Sequence, residues 1–285
     1  MLHRLLVPIV VALAATTPLS AHPGVGIVID VRGNVYYTDL KQVWRITPDG
    51  TKSVVVPHVH THELCLDAEG NLYGEHLWYE GERTDKWGHR VWRLSPDGTL
   101  VDVVPAREGF HAEFSFVRDR EWNEYWIDHS PGMVFRQRSP DGTVTTLAES
   151  SVGLRVGWMT CTSEGDVLFS DGSDLRVASR QKGIRTLARN LKERRFGQFQ
   201  VGDHHALMGV WSDSARNAYV AVYSGRMVKR VSPEGNVDVV ARSCWPWSPT
   251  GGLVAPDGSL WLLESSFTNA VRVRRVASNE CDRTF

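Results

Sequence analysis

Past an apolar opening stretch, the hydrophobic positions of this chain come in short runs rich in Val, Ile, Tyr and Trp, cut by polar turns containing Gly-Asn, Asp-Gly or Glu-Gly. Such runs predict β-strands joined by hairpins. β-Branched and aromatic side chains fit a pleated surface, and Gly and Asn accept positive φ at low cost. No stretch after residue 21 carries helical periodicity.

The runs repeat. Gly26-Ile-Val-Ile-Asp-Val-Arg-Gly-Asn-Val-Tyr-Tyr-Thr-Asp39, Val43-Trp-Arg-Ile-Thr-Pro-Asp-Gly50 and Ser53-Val-Val-Val56 form a first copy. A second runs from Glu63 through Asp67-Ala-Glu-Gly-Asn-Leu-Tyr73 and Val91-Trp-Arg-Leu-Ser-Pro-Asp-Gly98 to Val104. Further copies span Phe114 to Leu147, Trp158 to Leu187, Met208 to Val240 and Gly251 to Val276. Six copies in the 264 residues after Ala21 average 44 residues each, the length of a four-stranded propeller blade. The chain is therefore expected to be all-β, a six-bladed β-propeller of four-stranded antiparallel blades, with residues 22–285 as one domain. The sixth copy lacks a clear fourth strand, for which the tail from Ser278 to Phe285 is a candidate.

Residues 1–21 read differently: a short basic start, an apolar run from Leu5 to Ala15, then Leu19-Ser20-Ala21 as a cleavage site. This is expected to be a signal peptide, too short in its apolar part to span a bilayer, which places the rest in the periplasm or outside the cell. No later stretch is apolar enough to span. Lys and Arg number 32 against 33 Asp and Glu, so no electrostatic footprint for nucleic acid exists. Of four cysteines, Cys65 and Cys161 sit in strand-like runs and are expected to be buried, while Cys244 and Cys281 are candidates for a disulfide.

The Asp-x-x-Gly-Asn-hydrophobic-Tyr and Arg-hydrophobic-Ser-Pro-Asp-Gly elements make the chain resemble the NHL-repeat and gluconolactonase-like six-bladed propellers over nearly all of its length after residue 21. The resemblance implies blades rather than one activity. That superfamily includes lactonases, organophosphate-type hydrolases, strictosidine-synthase-like proteins, amidating lyases and interaction modules. Gluconolactonase-like enzymes hold a divalent cation through carboxylate and asparagine side chains, beginning with a Glu before the first inner strand. Here that region reads His22-Pro-Gly-Val-Gly26, and Val156-Gly157-Trp158 stands where an amide ligand would be. Amidating lyases hold a channel zinc through histidines, the ligand type this chain supplies.

Blade topology sorts residues by face. All ten histidines after residue 21 fall in b–c loops or blade-to-blade connections, which share one face of the disc, as do the longer insertions. His22, His111 and His205 share one offset before their blades and His60 is one residue from it. The metal candidates are accordingly His60, His62, His111 and His205, with Zn²⁺ as the divalent transition metal that imidazoles suit best. Glu63 and Glu113 stand beside histidines at the start of inner strands and are the catalytic candidates. Trp78, Trp87, Trp158, Tyr223 and Trp247 are candidates for an aromatic substrate wall. The repeated acids Asp39, Asp128, Asp171 and Glu264 are read as braces for their loops.

No nucleophile elbow, His-Glu-x-x-His pair, phosphate loop or dinucleotide fingerprint is present. The expected function is that of an exported, metal-dependent hydrolase or lyase acting on a small molecule at the channel mouth. The alternative is a non-catalytic propeller that binds a protein or glycan with the same face.

Overall fold

The computed structural model describes residues 23–109, 114–129, 132–193, 205–276 and 283–284, the last two as backbone only. It is an all-β, six-bladed propeller of antiparallel sheets. Blade 1 holds Ile27–Ile29, Val35–Thr38, Gln42–Ile46 and Lys52–Pro57. Blade 2 holds Leu64–Leu66, Leu72–Tyr79, Trp87–Leu94 and Leu100–Glu108, and blade 3 holds Glu124–Asp128, Met133–Arg138 and Val144–Ser150. Blade 4 comprises Val156–Cys161, Val167–Asp171, Asp174–Ser179 and Gly183–Ala188, and blade 5 Val210–Ser212, Ala218–Val222, Met227–Val231 and Val237–Arg242. Blade 6 comprises Trp247–Val254, Leu260–Ser266, Val271–Val276 and Arg283–Thr284. The C-terminal tail thus supplies the missing fourth strand, pairing Thr284 with Arg274 and Arg283 with Arg275.

Blade 3 departs from four strands. Its innermost position is taken by residues 114–118, which join the sheet through one bridge, Arg118 to Glu124, and the Tyr125 N–H donating to the Val117 carbonyl at 2.9 Å. The Ser115 hydroxyl occupies the Tyr125 carbonyl at 2.6 Å, taking an acceptor that a backbone ladder would otherwise use.

The repeated aspartates fix the inner hairpins. Asp30 accepts from the Asn34 backbone and side-chain amides at 2.9 and 2.7 Å and from the Tyr36 hydroxyl at 3.1 Å. Asp67, Asp119 and Asp213 repeat the arrangement with Asn71 and Tyr73, Asn123 and Tyr125, and Asn217 and Tyr219. The turn needs one residue at positive φ. Gly33 and Gly70 supply it in blades 1 and 2, whereas Trp122 and Arg216 adopt φ of 66° in blades 3 and 5.

The core lies between neighbouring sheets. Buried apolar clusters fill the seams between blades 1 and 2, 3 and 4, 4 and 5, 5 and 6, and 6 and 1. Between blades 2 and 3 the described residues show a different filling. The Arg118 guanidinium lies over the Phe114 and Trp122 rings at 4.6 and 4.4 Å and pairs with Glu124, while Tyr73 of blade 2 lies tilted against Trp122 with ring centroids 5.2 Å apart.

At the axis the inner strands approach closely. A Cβ at Gly251 would stand 2.2 Å from the Val25 carbonyl oxygen, and one at Gly26 would meet the Leu64 nitrogen at 3.0 Å. Only glycine permits blades 6, 1 and 2 to touch in this way. The Val25 and Gly26 N–H groups both donate to the His62 carbonyl, at 2.9 and 2.8 Å.

Cys65 is buried, and the Cys161 thiol donates to the Arg118 carbonyl at 2.7 Å. Burial pushes the Cys161 thiol up to about 12, so neither its position nor its titration suits a nucleophile. Cys281 lies outside the described residues, and with it the Cys244–Cys281 pairing. Residues 1–22 lie outside them too.

Candidate active site at the tunnel mouth

Inner strands from all the blades line an axial cavity of about 390 Å³, with Glu63, Phe116, Val117, Trp158 and Met159 on its wall. These same five residues also border a cleft of about 520 Å³ between blades 2, 3 and 4. The cleft lies at the seam between blades 2 and 3, where the described residues form no buried aliphatic cluster, and adds Glu75, His89, Trp126, Asp128 and His129 to the shared wall.

Glu75 is the centre of this site. It lies on the second strand of blade 2, opposite Val91 and diagonal to His89 on the third. Its Oε1 accepts from the His62 N–H at 3.0 Å and contacts His62 Nδ1 at 3.1 Å, while its Oε2 contacts His89 Nε2 at 3.2 Å. Both imidazoles therefore turn an N–H toward the carboxylate. Burial alone would raise the Glu75 pKa, but the hydrogen bonds from His62 and His89 outweigh it and hold the carboxyl down at about 2. The backbone is held as well: the Trp92 indole and the Thr61 hydroxyl both donate to the Glu75 carbonyl.

Glu63 stands next to this ion pair and behaves in the opposite way. Desolvation, with the Glu75 charge as a second cause, pushes its carboxyl up to about 8, so it is protonated at neutral pH. Two carboxylic acids at the same mouth are thus one ionised acceptor and one neutral donor. That separation is how protein sites assign acid and base roles.

Other expected residues are distributed as follows. Trp158 lines both cavities. His62 orients Glu75, and His60 lies against it with ring centroids 4.8 Å apart. The His60 N–H donates to His76 Nδ1 at 3.0 Å, and burial with the Arg90 charge lowers the His76 pKa. Trp78 lies so close over Gly88 that a Cβ there would stand 2.0 Å from the ring. Trp247 carries the Arg272 guanidinium at 4.4 Å, and Tyr223 packs with the cluster between blades 5 and 6. Trp78, Trp87, Tyr223, Trp247 and His205 line neither the tunnel nor the cleft. His111 and Glu113 lie outside the described residues.

Among the described residues no group of three or more His, Cys, Asp or Glu side chains is placed to hold a metal ion. The donors nearest the mouth are committed to one another: His62 and His89 face Glu75, and Glu63 carries a proton. The described donors form no zinc centre among themselves, His111 of the expected ligand set lies outside the described residues, and no step below passes through a metal.

The repeated acids act as braces, as expected. Asp39 accepts from the Lys41 and Gln42 N–H groups and the Trp44 indole, and Asp171 from the Arg155 N–H and Arg176. Glu264, fully buried, takes Ser243, Arg272 and Arg274. Asp128 accepts from the Trp126 indole and Arg136 at 3.0 and 2.9 Å, and in addition faces the cleft.

Sequence reasoning left Glu75, His89, Trp126 and His129 out of the candidate set; for Glu75 and His89 a signal was present. Their signal was the diagonal pairing across the long hairpin of blade 2. An acid and an imidazole on one face of adjacent strands, among buried apolar neighbours, must satisfy each other.

No protein-family model and no curated protein matches the sequence. Solved structures do match, and the chain resembles gluconolactonase-like six-bladed propellers. A gluconolactonase from Xanthomonas campestris aligns over 85% of this chain and 82% of its own, with 14% identity and a TM-score of 0.54. A glucose dehydrogenase aligns over 88% and 95%, with 12% identity and a TM-score of 0.57. An auxiliary nutrient binding protein from Bacteroides thetaiotaomicron aligns over 90% and 69%, with 10% identity and a TM-score of 0.58. At these identities the likeness establishes the propeller architecture, and function has to be argued from the site.

Proposed function

We propose that this chain is an exported propeller enzyme, a hydrolase or lyase that acts on a small molecule bound in the cleft at the tunnel mouth. The observation that carries the reading is the placement of two carboxylic acids in unlike surroundings at one cleft: Glu75 held by His62 and His89, and Glu63 buried beside it, with burial raising its pKa. Neutral Glu63 serves as the general acid. It gives its proton to the leaving oxygen of the substrate as the carbon–oxygen bond breaks and is left as a carboxylate. His129, on the opposite wall, takes a proton from water in hydrolysis or from carbon in elimination, so one proton enters and one leaves per turnover. Glu75 neither gives nor takes a proton in this scheme. It holds His62 and His89 and, through its fixed negative charge, keeps Glu63 protonated. Trp126 and Trp158 supply apolar walls. That two of the structural neighbours named above are enzymes supports catalysis on this scaffold, without favouring one reaction.

The test is turnover of a panel of lactones and esters by the purified chain and by E63Q. Acid catalysis accounts for roughly 10²- to 10⁴-fold in rate, so E63Q is expected to lose at least 100-fold in kcat with little change in KM. Hydrolysis in ¹⁸O-water labels the product and elimination does not. Turnover by E63Q equal to that of the unmodified chain overturns the role given to Glu63.

A second reading, a binding propeller, draws on one observation. Trp245 and Phe267 stand 70% and 65% exposed on blade 6, stacked 5.4 Å apart. Exposed stacked rings suit a sugar or protein surface. Glycan-array binding abolished by W245A, with no turnover of any panel compound, favours it.

A further inference from the structure

We propose that the cleft between blades 2, 3 and 4 takes a small molecule bearing an alkylammonium group on an apolar body, the cation lying among Trp126, Trp158, Glu75 and Asp128. This rests on the active-site reading and names its substrate class. Among the described residues that line the cleft, none is Lys or Arg, three are carboxylic acids (Glu63, Glu75 and Asp128) and four are Phe or Trp. Aromatic faces attract a cation through their quadrupole, most strongly for Trp, and a carboxylate nearby adds Coulomb attraction in a partly desolvated site.

The fold already uses these walls to hold cations. The Arg138 guanidinium lies over Trp126 at 5.0 Å and that of Arg118 over Phe114 at 4.6 Å. Both guanidiniums reach the one carboxylate of Glu124. Asp128 is paired with Arg136, whereas the groups in contact with Glu75 are the imidazoles of His62 and His89. No Lys or Arg is among the described lining residues, and the guanidiniums nearest the wall already contact Asp128 and Glu124, so a phosphate or carboxylate ligand beside Glu75 finds no uncommitted cation there. A cationic ligand meets attraction from the same groups. The cavity, about 520 Å³, falls in the range of small-molecule sites.

Calorimetric titration of the full chain with three probes of one shape separates the possibilities: choline, its uncharged carbon analogue 3,3-dimethylbutan-1-ol, and 3,3-dimethylbutanoate. Choline is expected to bind at least ten-fold more tightly than the alcohol, and the carboxylate most weakly. W158L is expected to weaken choline at least ten-fold and W158F to retain most of the affinity. D128N, which leaves Arg136 without its partner beside the cleft, is expected to weaken choline about five-fold and leave the alcohol unchanged, a split that general loss of structure would not give. Equal binding of choline and the alcohol, preference for the carboxylate, or no binding of any probe overturns the proposal. Heat of binding needs no turnover, so choline selectivity without activity on the lactone and ester panel sinks only the enzymatic reading. Turnover without choline selectivity sinks only this one.

Discussion

His62 holds Glu75 twice, through its backbone N–H at 3.0 Å and its Nδ1 at 3.1 Å, both on the same carboxylate oxygen. The other oxygen faces His89 at 3.2 Å. Since the His62 carbonyl also receives the Val25 and Gly26 N–H groups, one residue ties the ionised acid of the site to the junction between blades 1 and 2.

Replacing Glu75 by Gln is therefore expected to cost stability, because two buried imidazoles lose a charged acceptor. A loss of about 2–4 kcal/mol in chemical denaturation is the expected range for breaking such a network from one side. Since the folded Glu75 titrates below its ordinary value, its contribution is complete above about pH 4.5 and disappears as pH falls toward 2. E75Q should show a shallower acid limb than the unmodified chain over that window.

Glu63 gives the opposite sign. Its folded pKa, about 8, lies above the ordinary 4.5, so its contribution is complete below about pH 4.5 and is lost as pH rises through 8. The E63Q variant lacks this loss. Its stability relative to the unmodified chain is expected to rise by roughly 2–4 kcal/mol between pH 5 and pH 9, measured by urea unfolding at fixed pH steps. Parallel curves for the two proteins would show that Glu63 is ionised in the folded state.

Ring closure depends on Gly251. G251A places a methyl carbon 2.2 Å from the Val25 carbonyl oxygen, and blades 6 and 1 must separate to relieve it. A loss of at least about 3 kcal/mol is expected. G153A, where nothing lies within 4 Å of the added carbon, is expected to stay within about 0.5 kcal/mol of the unmodified chain.

Acid–base chemistry by Glu63 and His129 requires no metal. Dialysis against a chelator is expected to leave both turnover and melting temperature unchanged. A loss of either that zinc restores would return His60, His62, His111 and His205 to the ligand role their spacing suggested.

The propeller was legible because its cause is local and repeated: each Asp-x-x-Gly-Asn-hydrophobic-Tyr element closes its own hairpin, as Asp30 does with Asn34 and Tyr36. The tail strand was legible only as a candidate, since Arg283–Thr284 carries no run of apolar residues and is placed by the open edge at Arg274 and Arg275. Glu63 was legible as an acid beside a histidine at the start of an inner strand, and Trp158 as an aromatic residue where the fourth copy begins. Glu75 and His89 were not, because their significance arises across a hairpin and in three dimensions. Spacing before each blade fixes height on the axis, but not the direction of an imidazole. His62 turns toward a carboxylate of its own blade, and His205 borders neither cavity.

The seam between blades 2 and 3 has a mechanical consequence. Five joints of the disc are glued by aliphatic and aromatic packing, which stiffens them, while this one is bridged by a guanidinium sandwiched between rings and a charge pair. A wheel built so yields at its polar spoke first. A guest bound beside that spoke is expected to raise the melting temperature of the disc along with the occupancy of the cleft.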